Sequence, residues 1–264
     1  MDLDLTGKRA VVTGGSRGIG LAVAEVLAAE GADLALVARG ESALSAAADR
    51  LAGQRTKVLP VVADTTDDAS VAAMAERVTA ELGGVDILVN CAAEAATGAR
   101  TPLAELRDED LRRQVETKVL GYLRCARAFA PGMRARGWGR IVNVSGLNAR
   151  TASSTFGSIR NVAVAAMTKN LADELGPSGI TVTVVHPGFT VTEPVTAMLA
   201  SRAAERGITA AEAEAELAAG VSIGRLVTAA EVADVVAFLA SPRSAAINGD
   251  AIAAGGGQSG AIHY

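Results

Sequence analysis

The chain has 264 residues, half of them apolar but only 3% aromatic, and 25 Lys and Arg against 29 Asp and Glu give a formal charge of −4. That length, with no dividing linker, fits one α/β domain over 1–264 with a core of Ala, Val, Leu and Ile. Interspersed charges leave no basic stripe for a nucleic acid, no apolar run approaches a membrane span, and no His or Cys cluster suits a metal, so the expected partner is a small molecule.

The opening "MDLDLTGKR" carries acids where a secretory leader needs a basic start, and a cytoplasmic protein is expected. A strand, "RAVVT", then runs into "GGSRGIG" and an Ala-rich helical stretch. Gly14, Gly18 and Gly20 therefore fall between a strand and a helix, where the backbone N–H groups of the turn (Ser16, Arg17, Ile19) can meet a pyrophosphate at the positive helix end. The second strand, "DLALVA", ends at Ala38 and Arg39, with no acid before Glu41. In dinucleotide folds an acid there binds the ribose 2′-OH, whereas an Arg accommodates a 2′-phosphate, so Arg39 and Arg17 favour NADP(H) over NAD(H).

Short β-branched runs continue to alternate with helical ones: "KVLPVVA", "ASVAAMAERVTAELG", "DILVN", a helix near Leu111 to Arg136, "GRIVNVS", a helix over "STFGSIRNVAVAAMTKNLADEL", and "ITVTVVHPG". This is the pattern of repeated βαβ units in a parallel sheet. A charged, Ala-rich segment over about 190–220 has no strand partner and reads as a helical cover over a site; a helix, "AAEVADVVAFLAS", and a short strand near "DAIAAGGG" close the chain. Cys91 and Cys125 lie in no redox or metal motif and read as buried free thiols.

The spacing TGxxxGxG resembles that of the short-chain dehydrogenase/reductase family, and further motifs extend the resemblance over nearly the whole chain. "VVADTTD" is similar to the stretch in which that family contacts adenine, here Asp64 and Thr65. "LVNCAA" resembles an N-N-A-G motif, with Asn90 and Ala92 kept, Cys91 for the second Asn and Ala93 for Gly. "VVHPGFTVT" resembles the loop along the nicotinamide, which implicates Pro187, Gly188, Thr190 and Thr192. The resemblance implies a Rossmann-like, doubly wound parallel sheet of about seven strands and a homo-oligomer, tetramer or dimer. Apolar faces on the helix from about Asp110 and on the Ser158 to Leu175 helix fit such an assembly.

The resemblance also implies an Asn, a Ser and a Tyr-x-x-x-Lys pair around the substrate, and here the chain departs from it. Gly157 falls at the Tyr position, Asn161 at the Lys, Gly146 at the Ser and Lys118 at the Asn. The two tyrosines, Tyr122 and Tyr264, have no Lys four residues on, so no shift of register restores the pair. With Gly at two of these positions, a widened pocket is expected. Lys118 and His186 are the titratable candidates. A buried Lys118 becomes a usable acid or amine, or else it pairs with a carboxylate such as Glu116 or turns to solvent; His186 protonates substrate or bonds backbone. Ser145, Ser158 and Asn161 remain as hydrogen-bonding groups, and His263 and Tyr264 as a tail that reaches a neighbouring site or frays.

The leading reading is an NADP(H)-dependent oxidoreductase that moves a hydride without a Tyr acid. Loss of that acid points toward a C=N or an activated C=C acceptor. A cofactor-binding protein without chemistry, and a lyase or isomerase using Lys118, are the alternatives, because fold alone does not decide among them.

Overall fold

The computed structural model describes residues 2–53, 56–93, 101–152 and 154–259. His263 and Tyr264 lie outside them. The chain starts with β1 (Arg9–Thr13), α1 (Gly18–Ala29), β2 (Asp33–Ala38), α2 (Glu41–Leu51), β3 (Val58–Val62), α3 (Asp68–Leu82) and β4 (Ile87–Asn90). It continues through α4 (Asp108–Val115), α5 (Gly121–Arg136), β5 (Gly139–Val144), α6 (Thr155–Leu175) and β6 (Ile180–Pro187). After the short β7 (Thr190–Val191) come α7 (Glu193–Arg206), α8 (Ala210–Ala218), β8 (Val227–Thr228), α9 (Ala229–Ala240) and β9 (Ala251–Ala254).

Seven strands form one parallel sheet in the order β3-β2-β1-β4-β5-β6-β9, the doubly wound arrangement expected from the alternation of runs. β4 and β5 are buried along their whole length, as befits strands in the middle of a parallel sheet. Successive strand residues supply opposite faces. Val12, Leu34 and Leu36 pack with Leu27 of α1 and Val236 of α9, while Val11, Leu88 and Ile141 pack with Met74 of α3 and Phe129 of α5. Cys125 belongs to that second core, as expected of a buried thiol, but Cys91 is partly exposed.

Two features depart from the sequence reading. The helix expected from Leu111 to Arg136 is interrupted by a π turn over Glu116–Leu120. The segment after β6 does have strand partners, since β7 pairs in parallel with β8 through Thr190↔Val227 and Val191↔Thr228. That pairing ties the loop after β6 to the start of α9, and α7 and α8 form their own small core around Leu199, Ala203, Ala213 and Leu226. Capping boxes at Thr209 with Glu212 and Thr228 with Glu231 fix the starts of α8 and α9. Leu120, Ile159 and Val162 remain exposed on α6 and the turn before α5. Among the described residues no helix is long and apolar enough to cross a membrane.

Tight backbone contact closes the sheet's amino end. Gly179 has φ +77°, and a Cβ on it would overlap the Gly137 carbonyl oxygen. Gly179→Ala is expected to lower stability by roughly 2–4 kcal/mol, read from the urea midpoint at unchanged slope.

Candidate active site

The glycine turn sits at the carboxyl end of the sheet, after β1 and beside the end of β4. Gly14 has φ +68°, and a Cβ there would lie 3.0 Å from the Ala92 backbone; a Cβ on Gly20 would overlap the Gly14 carbonyl oxygen. Only glycine permits this approach of turn, helix and β4. The Thr13 hydroxyl accepts from the N–H groups of Cys91 (3.1 Å) and Ala92 (3.2 Å), which holds the two strand ends in register. Arg17 is the N-cap of α1 but makes no side-chain cap, and the first turn carries no acid. Among the described residues the N–H groups of that turn thus have no side-chain acceptor, at the positive end of the helix.

This turn forms one wall of a cavity of about 540 Å³. Gly14, Ser16, Arg17, Gly18, Ile19 and Gly20 all line it, joined by Arg39 from the end of β2 and by Asp64 and Thr65 after β3. Burial pushes the Asp64 carboxyl up, but donation from the Thr66 N–H (2.9 Å) and hydroxyl (2.8 Å), with the charges of Arg39 and Arg124, leaves it below the usual carboxylate range. Cys91 and Ala92, close against Gly14, also line it, and burial pushes the Cys91 thiol up to about 12, so it is no thiolate.

The other end of the cavity holds Lys118, Ser145 and Arg160. Lys118 neither pairs with Glu116 nor turns to solvent: it is 4% exposed and its Nζ donates to the Ser145 carbonyl oxygen at 2.8 Å. Glu116 pairs with Arg124 instead, at 2.5 Å. The π turn is responsible, because its extra residue rotates Thr117 and Lys118 inward from an α4 that buries nothing. Burial first, and then the charge of Arg160, lowers the Lys118 amine from its usual 10.5 to about 7.

Several other expected site residues stand apart from the cavity lining, whereas Ser145 belongs to it. Asn90 is fully buried below it and donates to Asn143 Oδ1 at 2.9 Å. His186 is 1% exposed on β6, Ser158 donates to the Thr151 carbonyl at 3.1 Å, and Ser145 Oγ donates to the Asn161 carbonyl at 3.3 Å. None of His186, Ser158, Asn161, Pro187, Gly188, Thr190 or Thr192 is among the lining residues, although Thr192 stands beside Gly18 and Pro194 does line the cavity.

The expected widening at the two glycines is also not found. A Cβ on Gly146 would lie 2.9 Å from Asn161 Nδ2, and one on Gly157 would lie 2.8 Å from Asn148 Nδ2. Two amide side chains fill the room that the glycines leave. Arg160, a charged lining residue that the sequence reading missed, is 7% exposed. Its signal was present: the buried stripe of α6 runs Gly157, Arg160, Asn161, Val164, Thr168, at helical spacing, so the Arg belongs to the inward face.

Comparison with known proteins agrees with this geometry. A family model described as enoyl-(acyl carrier protein) reductase matches residues 14–259. The chain belongs to the short-chain dehydrogenase/reductase family. It is 35% identical over 252 residues to the short-chain reductase protein NovJ of Streptomyces niveus, covering 94% of this chain and 93% of that one. It is 35% identical over 263 residues to the 3-oxoacyl-[acyl-carrier-protein] reductase FabG of Escherichia coli K12, covering 97% and 98%. Among solved structures, L-sorbose reductase from Gluconobacter frateurii, complexed with NADPH and L-sorbose, superposes with a TM-score of 0.93 at 33% identity, covering 99% of this chain and all of that one.

The buried ammonium has a measurable consequence. Lys118 releases its proton near pH 7 when folded but near 10.5 when unfolded, so over that window the unfolded chain binds more protons and stability rises with pH. The penalty is complete below the folded value and gone above the unfolded one. Lys118→Met removes it: at about pH 6 the variant is expected to be more stable than the parent by roughly 3 kcal/mol, a margin that closes toward pH 10 in denaturant titrations.

Proposed function

We propose that this short-chain dehydrogenase/reductase is an NADP(H)-dependent reductase of a small organic substrate, with Lys118 in place of a tyrosine acid. The observation that carries the reading is the single cavity that joins a dinucleotide-type glycine turn to a buried amine. The uncapped first turn of α1 and the close Gly14–Ala92 approach suit a pyrophosphate, and Arg17 with Arg39 suits a 2′-phosphate. Bound there, the reduced nicotinamide supplies a hydride.

Lys118 then supplies the proton. Its amine, lowered to about 7, both holds and releases a proton near neutrality, which a phenol or a serine hydroxyl does not do unaided. Hydride addition to a carbonyl carbon, or to the far carbon of a C=C conjugated to a carbonyl, places negative charge on oxygen. Lys118 and Arg160 stabilise that charge, Lys118 transfers its proton to it, and the amine regains one from water. A cationic C=N acceptor is disfavoured by the same two groups, so the carbonyl or conjugated C=C is the better substrate.

Calorimetric titration tests the cofactor assignment: NADPH is expected to bind at least about tenfold tighter than NADH, and Arg39→Asp to reverse the order; equal affinities would remove the argument. Loss of nicotinamide absorbance with a panel of ketones, enones and imines tests the activity. On any substrate turned over, Lys118→Ala is expected to lower kcat about 100-fold and Ser158→Ala by no more than about threefold. Unchanged turnover in Lys118→Ala excludes the amine from the chemistry.

A further inference from the structure

The π turn over Glu116–Leu120 buries the Lys118 ammonium against the cost of taking a charge out of water. An ordinary α-helical register over the same residues would carry that side chain about 100° round the helix, so something must hold the turn as it is. Arg124 of α5 grips it from outside. Its side chain is only 14% exposed; Nη2 lies 2.5 Å from Glu116 Oε1, Nε lies 3.3 Å from Asp68 Oδ1, and Nη1 donates to the Thr65 carbonyl oxygen at 3.4 Å. All three nitrogens of the guanidinium are engaged, one with the first residue of the π turn and two with the segment that leads from β3 into α3. Arg127 steadies the same Asp68 at 2.8 Å. A lone exposed ion pair holds little, whereas a mostly covered guanidinium bound on three sides has a fixed position.

The spacing makes this grip selective for one register. Two turns of α-helix take about 7.2 residues, so residues eight apart in an uninterrupted helix lie about 80° out of line, whereas the one residue that a π turn adds brings them onto one face. Glu116 and Arg124 are such a pair, with the π turn between them. We infer that Arg124 is a positioning residue: anchored on Asp68 and Thr65, it holds Glu116 in the register that presents Lys118 to the cavity. The inference rests on the reading of Lys118 as the proton donor and adds the residue that keeps it in place. Released from Arg124, the turn relaxes toward the α register and the amine moves toward solvent. Thr65 itself lines the cavity and packs against Gly121, so the anchor is part of the same wall as the expected dinucleotide site.

Trace labelling with acetic anhydride across pH, read by mass spectrometry, gives the midpoint at which Lys118 becomes a free amine and needs neither substrate nor cofactor. In the parent that midpoint is expected near 7. In Glu116→Gln and in Arg124→Met it is expected to rise by at least about 2 pH units toward the usual 10.5, and in Arg124→Lys, which keeps the charge but reaches one acid only, to fall between. The groups that face Lys118, namely Arg160 of α6, Cys91 after β4 and the Ser145 carbonyl, are unchanged in all three variants. Removing the Glu116 carboxylate by itself favours the neutral amine and lowers the midpoint, so a rise in Glu116→Gln reports movement of Lys118 toward water. Glu116→Gln leaves Asp68 and Thr65 on Arg124 and is expected to keep NADPH affinity within about twofold, which separates a displaced turn from a damaged fold and decides the matter if Arg124→Met does not fold. A Glu116→Gln midpoint that falls, or stays within about half a unit of the parent, overturns the inference. A parent midpoint already near 10.5 overturns the assignment of Lys118 as donor and the inference with it, whereas failure of the parent to bind NADPH overturns the reductase reading alone.

Discussion

The site hangs on one hydrogen bond, from the Lys118 ammonium to the carbonyl oxygen of Ser145 at 2.8 Å. It crosses from the π turn to the end of β5, and both sides are braced. The Ser145 N–H donates to Val185 of β6 at 2.7 Å, and its hydroxyl donates to the backbone of α6. On the other side the Thr117 hydroxyl donates to the Arg113 carbonyl at 3.0 Å. Gly121 then lets α5 approach Thr65, whose Oγ1 would lie 3.0 Å from any Cβ there. A larger residue at 121 would push the helix off the sheet and draw Lys118 away from its acceptor.

Below the cavity a polar ladder fixes the floor. Asn90 donates to Asn143, Asn143 donates to the Thr168 hydroxyl at 2.9 Å, and the Tyr122 hydroxyl donates to the Val144 carbonyl at 2.9 Å. These buried groups join β4, β5, α5 and α6, so each must be satisfied inside the protein, and each bond also sets a register. Asn161 and Asn148 complete the packing above, beside Gly146 and Gly157. A small residue in the sequence therefore does not mark open space, because a neighbour chosen together with it fills the room.

What could be read from the sequence is what the backbone dictates. The seven-stranded sheet followed from alternating apolar runs, and the dinucleotide-type turn from Gly14, Gly18 and Gly20, whose positions are set by backbone contact and positive φ. The helices α7 and α8 were legible from their Ala-rich periodicity. The π turn was not, since one extra residue in a helix leaves no compositional trace, and yet it decides that Lys118 faces inward while Glu116 faces Arg124. The pairing of β7 with β8 involves two residues each, too few to show a period. Arg160 was legible only by placing α6 on its inward stripe and then accepting a charge there, against the general rule that a charged residue marks the solvent face.

Cations elsewhere in the chain show why Lys118 is of a different kind from structural ones. Arg9 is closed onto Asp86 by two short bonds, of 2.7 and 2.6 Å. Arg140, 4% exposed, donates to the carbonyls of Ser241 and Gly139 and lies 4.6 Å from the Trp138 ring, so acceptors and a π face surround its charge. Both arginines are held in place by groups that cost little to keep there. Lys118 carries three N–H donors and has one acceptor among the described residues, the Ser145 carbonyl. Its other donors belong to a cavity wall, and no carboxylate at that end of the described lining compensates its charge. An ammonium kept in that state destabilises the folded chain, whereas a Met of similar volume would not.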